Sequence, residues 1–545
     1  MNASTLLRFS LFICLLLPWI NSRATGPSSS VEPWLISALC TALAYGLWRP
    51  RMASHAVSAS LALLAAWTIA RTGIAPETLA VAGACLMIAL TCALGAAGAR
   101  DEALLRVIAF AWLAAALLST VFALLQYFGA ADAFAPLIST TTAGEAFANL
   151  RQRNQFASLT VIGMATLFWL APRHLPWRFA FAAIVFLAFG NAATTSRTGL
   201  VEMCVLAVLA FAWPGASRER RVLWAGGLAA YVIAAVALPS LLDLVTGTSG
   251  NRLWERVASV DSCSSRRVLW SNVLHLIAQR PWIGWGWGEL DYAHYYNIYD
   301  GARFCDILDN AHNLPLHLAV ELGTPASLLF CAGTLFAAWR ARPWAESDPA
   351  RQMAWTVLAV LALHSMVEYP LWYGPFEMAA GLALGLLVAR REEPLEEEDA
   401  VPAVPVATSL LATSHIAAPL IATLAVAACL YSAWDYRRIS QVYLGPDARV
   451  EAYRDDPMAQ ARNSWLFRAQ ARFAELTLTD LALDNKGWMF ENSEALLHYS
   501  PEPRIIEKVI ESATLTDRTD IAVGHLARLR AAFPDAYEAW SKAKR

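Results

Sequence analysis

Four polar stretches interrupt an otherwise apolar chain, and each holds side chains able to do chemistry. The first is "DNAHNLPLHLAVELG", residues 309–323, in which Asp309, Asn310, His312 and Asn313 precede a leucine-rich run. Pro315 favours the first turn of a helix, where its missing N–H costs nothing. The pattern predicts a helix starting near residue 315, with His312 just ahead of it and the positive end of the helix dipole favouring an anion nearby. A histidine titrates near neutrality and can take a proton from a hydroxyl. His312 is therefore the candidate catalytic base, and Asn310 and Asn313 are placed to orient its ring or hold a ligand. A purely structural loop histidine is the plainer alternative. A zinc site is disfavoured, because His312 and His317 are five apart and no HExxH pattern occurs.

The second stretch is "RQRNQFASL", 151–159, where Arg151, Gln152, Arg153 and Asn154 crowd the start of an apolar run. Guanidinium forks match phosphate oxygens, so this reads either as a substrate site or as a contact to lipid headgroups. The third is "NAATTSRTG", 191–199, which sets Arg197 between two apolar segments. A charge at mid-bilayer costs ~2.5–3.5 kcal/mol, less near the surface, so Arg197 either pairs with an anion such as a lipid pyrophosphate or snorkels to the interface. The fourth is "HSMVEYPLWYGPFE", 364–377. His364 and Glu368 are four apart, on one helical face, with Tyr369 next and Pro370 closing the segment. They read as functional groups at the membrane or as a helix-packing pair.

The elements that carry these groups are membrane helices. Of 545 residues, 57% are hydrophobic and 16% charged, against about 25% charged in soluble domains. The net charge of −2 says nothing about nucleic acid, but no basic stripe that would bind it occurs, so no nucleic-acid partner is expected. About 13 apolar stretches approach the ~20 residues that cross a bilayer. They lie near 5–20, 33–48, 55–70, 78–98, 103–128, 155–171, 178–195, 199–213, 222–242, 314–337, 353–369, 375–389 and 408–431. Arginines such as Arg49, Arg51, Arg218, Arg220, Arg221, Arg340 and Arg342 crowd alternate loops, which the positive-inside rule places in the cytoplasm. The N-terminus is then cytoplasmic, while 129–154, 243–313 and the chain from about 432 lie outside. All four polar stretches fall at that outer face. A cleaved signal peptide ending near residues 22–24 is an alternative reading of the first apolar span, 5–20.

The expected fold class is all-α: a polytopic transmembrane helix bundle over 1–435, with a large periplasmic loop at 243–313 and an acidic cytoplasmic linker at 392–406. A soluble, helical periplasmic domain follows at 436–545. Its helices are expected at 446–474, 475–485, 488–498, 502–514 and 517–533, stacked in pairs that are tetratricopeptide-like in length but without a clear repeat. In the large loop an amphipathic helix is expected at 266–280, followed by a Gly/Trp turn. Trp270, Trp282, Trp285 and Trp287 suit a membrane interface or the wall of a sugar or lipid site. Cys263 and Cys305 share this loop, and an oxidising periplasm would permit a disulfide between them, although sequence alone does not give their separation.

Together these groups suit a polyprenyl-pyrophosphate sugar. The arginines stabilise the departing pyrophosphate, and His312 activates the incoming hydroxyl. In this light "LDNAHNLPLHLAVELG" (308–323), "RQRNQFA" (151–157), "SRTG" (196–199) and "HSMVEYPLWY" (364–373) resemble the bacterial protein O-oligosaccharyltransferases of the PglL/PilO pilin-glycosylation type, within the Wzy/WaaL O-antigen polymerase and ligase superfamily. The resemblance implies an inner-membrane enzyme that moves a glycan en bloc from undecaprenyl pyrophosphate to Ser or Thr of a pilin or other periplasmic protein, with no cofactor and no metal. It implies His312 as catalytic residue and Arg197 and Gln152 as substrate contacts. O-antigen ligase, with lipid A-core as acceptor, and O-antigen polymerase use nearly the same chemistry. A transporter or flippase would instead place charges at broken helices near the bilayer middle. No D-x-D pair for a metal-dependent transferase occurs.

Overall fold

Helices form where apolar residues run unbroken, and they stop where glycine, proline or a capping side chain intervenes. The computed structural model describes residues 2–51, 54–171, 173–215, 217–248, 263–389 and 406–544, and these contain helices and no strand. The expected linker at 392–406 lies outside the described residues except at its last position, and so does 249–262 of the large loop. The helices are α1 (Ala3–Ile20), α2 (Val31–Trp48), α3 (His55–Thr72), α4 (Pro76–Gly98), α5 (Glu102–Tyr127), α6 (Arg153–Ala165), α7 (Leu167–Leu170), α8 (Trp177–Ala193), α9 (Arg197–Ala212) and α10 (Arg218–Thr246). After the loop come α11 (Arg266–Gln279), α12 (Leu290–Tyr296), α13 (Leu314–Leu322), α14 (Thr324–Ala341), α15 (Pro349–His364), α16 (Gly374–Val388) and α17 (Val406–Ser440). The tail holds α18 (Pro457–Ala461), α19 (Arg468–Leu478), α20 (Lys486–Leu496), α21 (Pro503–Leu515), α22 (Thr519–Ala532) and α23 (Pro534–Ala543).

Six helices among the described residues are long and apolar enough to cross a membrane: α1, α2, α4, α5, α10 and the Ala417–Tyr443 stretch that includes most of α17. Shorter apolar helices lie at Ala56–Thr72, Trp177–Ala193 and Gly374–Val388. This is a helical membrane protein, but several expected spans are shorter or differently divided. The stretch 155–171 is two helices, α6 and α7, that part at Thr166. The stretch 353–369 stops being helical at His364, and Pro370 begins a short 3-10 turn. The stretch 314–337 breaks at Gly323, whose φ of +95° is open to glycine and strained for other residues. A strap of the Gly/Trp turn crosses that break. Trp285 N–H donates to the Val320 carbonyl (2.8 Å), Gly286 N–H to Glu321 (3.0 Å), and Thr324 N–H to Pro281 (2.8 Å). Carbonyls that a continuing helix would have used are thereby satisfied by the strap.

The bundle centres on α6. Every residue from Gln155 to Ala165 is buried, because α5, α8, α9 and α15 surround it. Its buried polar residues, Gln155, Ser158 and Thr160, therefore point into protein and need partners there. Close packing elsewhere uses small residues: a Cβ on Gly385 would come within 2.6 Å of the Ala96 nitrogen on α4. α14 is the opposite case, with only Ser327 buried and Leu328, Leu329 and Leu335 exposed.

The tail has its own apolar cluster of Phe473, Leu476, Met489, Phe490, Ile505, Val509 and Leu529. Consecutive helices from α19 to α23 pack on one another. The expected helix at 446–474 is not continuous. Pro446 and Pro457 lack the N–H a helix interior needs, and the segment instead forms short turns, α18 and most of α19. Tyr295 of α12 enters the tail cluster, and its hydroxyl lies 2.6 Å from His525 Nδ1.

Candidate active site

Asn310 and Asn313 fold the loop that presents His312. Asn310 Oδ1 accepts the His312 N–H (2.8 Å), a local turn that holds His312 at φ +49°. Asn313 caps α13, its Oδ1 accepting from Leu316 N–H (3.1 Å), and its Nδ2 donates to the Met366 carbonyl (3.0 Å). Leu314 N–H donates to the Ser365 carbonyl (2.8 Å), so the histidine loop is stitched to the turn that follows α15.

That turn carries Glu368. Its Oε2 lies 2.7 Å from His312 Nδ1, and its Oε1 accepts from Arg266 Nη2 (2.7 Å) and from Asn154 Nδ2 (3.4 Å). Arg266 Nη2 is also 2.8 Å from His312 Nδ1. One ring nitrogen cannot both donate to the carboxylate and accept from the guanidinium. The consistent assignment puts the proton on Nδ1, directed to Glu368, while Arg266 donates to the other carboxylate oxygen. Burial works to raise the Glu368 carboxyl, but the His312 ring and the Arg266 guanidinium outweigh it and hold the group below the ordinary carboxylate range. With Nδ1 carrying the proton, Nε2 keeps its lone pair. Nε2 has no hydrogen bond among the described residues, and the side chain is 18% exposed. Tyr369 packs edge-on against the ring, 4.8 Å between centroids. A carboxylate that fixes one ring nitrogen so that the other can accept a proton is the arrangement of a general base.

The four polar stretches meet here. Asn154 Oδ1 accepts from Ser196 Oγ (2.6 Å), and Ser196 caps α9, whose first residue is the exposed Arg197. The chain of contacts runs from α9 through Asn154 and Glu368 to His312. Arg197 makes no ion pair among the described residues. The other arginines of the second stretch are engaged. Arg153 pairs with Glu145 (2.9 Å), and Arg151 donates to the Ser22 carbonyl. Gln152 caps α6, its Oε1 accepting from Gln155 N–H (2.7 Å).

His364 and Glu368 do not pair. The helix ends at His364, so the two side chains diverge. His364 is buried, with Nδ1 2.8 Å from Ser158 Oγ, and Ser158 donates to the fully buried Glu202 (2.7 Å). Arg266, Ser158 and Glu202 were not among the sequence candidates. Arg266 and Arg267 open α11, where positive charge opposes the helix dipole, and that mismatch was the available signal. For Glu202 the signal was a carboxylate inside an apolar run.

Cys263 and Cys305 form a disulfide, with Cα atoms 5.5 Å apart, that closes the loop near the start of α11. Of the four tryptophans expected at an interface, only Trp282 is largely exposed. Trp270 Nε1 donates to the Ala311 carbonyl (3.0 Å) beneath the histidine loop. Arg280 lies 4.0 Å over the Trp285 ring, and Trp287 stacks on Trp372 at 5.9 Å.

Known families align with these segments. Residues 146–171 match a model described as protein glycosylation ligase, 182–331 one described as O-antigen ligase, and 352–545 one described as virulence factor membrane-bound polymerase, C-terminal. A general O-oligosaccharyltransferase of Acinetobacter baylyi is 22% identical over 287 residues, covering 51% of this chain and 49% of that protein. A ComP-specific O-oligosaccharyltransferase of the same organism is 24% identical over 253 residues, 46% of this chain and 45% of that protein. The chain thus spans about half the length of the curated relatives it matches. These matches make the chain similar to the O-antigen ligase and protein glycosylation ligase families, and they support a PglL/PilO-type enzyme of that superfamily.

Proposed function

We propose that the protein is an O-oligosaccharyltransferase that transfers a glycan en bloc from undecaprenyl pyrophosphate to Ser or Thr of a pilin or other periplasmic protein. The observation that carries this reading is the Glu368–His312 pair, with a free Nε2 at one end of an apolar bundle. His312 Nε2 takes the proton of the acceptor hydroxyl as its oxygen attacks the anomeric carbon. The bond from that carbon to the pyrophosphate oxygen breaks, and the lipid pyrophosphate leaves. Glu368 holds the ring in the productive tautomer and stabilises the cation that forms. Arg266 and the exposed Arg197 supply positive charge to the leaving group. Tyr369, Asn154 and Gln152 shape the site, and Asn310, Asn313 and His364 position it. Arg153 and Arg151 act through the loops they brace.

The same reading places the chain in the bacterial inner membrane, with the N-terminus cytoplasmic and the site and tail periplasmic. Residues 1–435 form the transfer domain and 436–545 a helical domain for acceptor docking. The disulfide supports an oxidising compartment for the loop. The match of 182–331 to the O-antigen ligase model favours a second reading, with lipid A-core as acceptor. Co-expression with a lipid-linked glycan pathway, a pilin and lipid A-core, in cells lacking their own transferases, separates the two. Glycan on pilin Ser or Thr, lost with His312→Ala, is the expected result. Glycan on lipopolysaccharide alone would replace the proposal with a ligase.

A further inference from the structure

We infer that the groove between the first turns of α8 and α10 holds the headgroup of an anionic phospholipid. The groove is a cavity of about 480 Å³ lined by Trp177, Arg178, Phe181, Arg218, Val222 and Leu223, with Glu219 beside them. It lies at the end of the bundle away from His312. α8 runs 17 residues from Trp177 to Ala193, just before the Ser196 that contacts the site through Asn154. At 1.5 Å per residue the two sites are about 25 Å apart.

The lining divides in two. Phe181 and Val222 are 43% and 56% exposed, so the floor presents apolar surface that acyl chains can cover. Arg178 and Arg218 stand at the rim. Neither makes a hydrogen bond or ion pair among the described residues, and Arg178 has only the neighbouring Phe179 ring, 4.9 Å away. Two free guanidiniums above an apolar floor fit a phosphodiester with its chains attached, since each fork can take two phosphate oxygens. Glu219 also lines the groove and interacts electrostatically with Arg218, so it offsets one of the two positive charges and leaves the groove net positive. It sits in the first turn of α10, where the helix dipole favours a carboxylate. Trp177 supplies an indole at the depth where such rings gather in bilayers. Basic pockets between membrane helices recognise acidic headgroups on these grounds, and a neutral headgroup would leave the guanidinium charge uncompensated.

The test uses the full chain purified in neutral detergent and stripped of lipid. Phosphatidylglycerol is titrated, with phosphatidylcholine and inorganic phosphate as parallel probes, and binding is read by native mass spectrometry and by the shift in melting temperature. Phosphatidylglycerol should bind and stabilise, phosphatidylcholine less so, and phosphate alone not at all. Arg178→Gln with Arg218→Gln should weaken phosphatidylglycerol binding at least 10-fold. Arg221→Gln removes the same charge from the same helix outside the groove and should leave binding unchanged. Equal binding by the double variant, equal weakening by Arg221→Gln, or an equal shift with inorganic phosphate would each overturn the inference.

Discussion

Replacing Glu368 by Gln removes one charge and almost no volume, and its effect follows from three short contacts. Glu368 accepts from His312 Nδ1 and from Arg266, each at 2.7 Å, while Arg266 Nη2 also lies 2.8 Å from Nδ1. Without the carboxylate, nothing requires the ring proton to stay on Nδ1. Arg266 is then free to donate to Nδ1, and the proton moves to Nε2. That tautomer cannot accept a proton from an acceptor hydroxyl. Losing one charge-assisted hydrogen bond to the ring costs about 1.5–3 kcal/mol. Adding the lost stabilisation of the imidazolium brings the barrier increase to roughly 3–4 kcal/mol, or about 10²–10³-fold in kcat. KM should change little, because substrate binding does not depend on the ring's tautomer. The assay is steady-state glycan transfer from a lipid-linked donor to an acceptor protein in detergent, with kcat and KM resolved. Glu368→Gln with kcat within about twofold of the parent would refute the assignment of Glu368 as the group that orients His312.

Other consequences are simpler to measure. Ser158→Ala leaves both His364 Nδ1 and Glu202 Oε1 without their shared hydroxyl and should destabilise the bundle by about 1–3 kcal/mol in reversible unfolding; an unchanged midpoint would contradict the network. Cys263→Ser with Cys305→Ser removes a link across a separation of 42 residues. The chain-entropy relation gives about 4 kcal/mol for such a loop, so faster tryptic cleavage within 263–313 is expected. The buried His525 is held down to about 4 by desolvation and by Arg528. Protonation is thus disfavoured in the folded tail, and the unfolded tail takes up a proton near pH 6.5. Tail stability should be full above about pH 6.5 and fall as pH drops toward 4. Hydrogen exchange in α22 at pH 7.5 and pH 5 reads this, and equal protection after correction for the intrinsic rate would contradict it.

The membrane character and the meeting of the four stretches were legible in the sequence, because apolar runs and isolated polar groups are local signals. Asn313 and Pro315 marked the start of α13 correctly. What lay beyond reach depends on contacts between distant segments. Gly323 looks like one residue in a long apolar run until the strap from 281–286 binds the carbonyls beside it. His364 and Glu368 share a helical face only if the helix continues, and it stops at His364. The roles of Asn310, Asn313 and Gln152 as loop and helix caps were open to sequence reasoning, since such side chains favour caps over ligand contacts. Arg266 was hidden by distance, because it lies 102 positions from the carboxylate it pairs with.

The proposed transfer depends on His312 Nε2 taking the acceptor proton. The most direct measurement reconstitutes purified protein with undecaprenyl-pyrophosphate glycan and a pilin acceptor, then follows in one reaction the intact acceptor mass and the released lipid pyrophosphate. The parent protein should add one intact glycan to Ser or Thr for each lipid pyrophosphate released, and folded His312→Ala should yield neither product. Glycan transfer by the His312→Ala protein at the parent rate would contradict that role of His312.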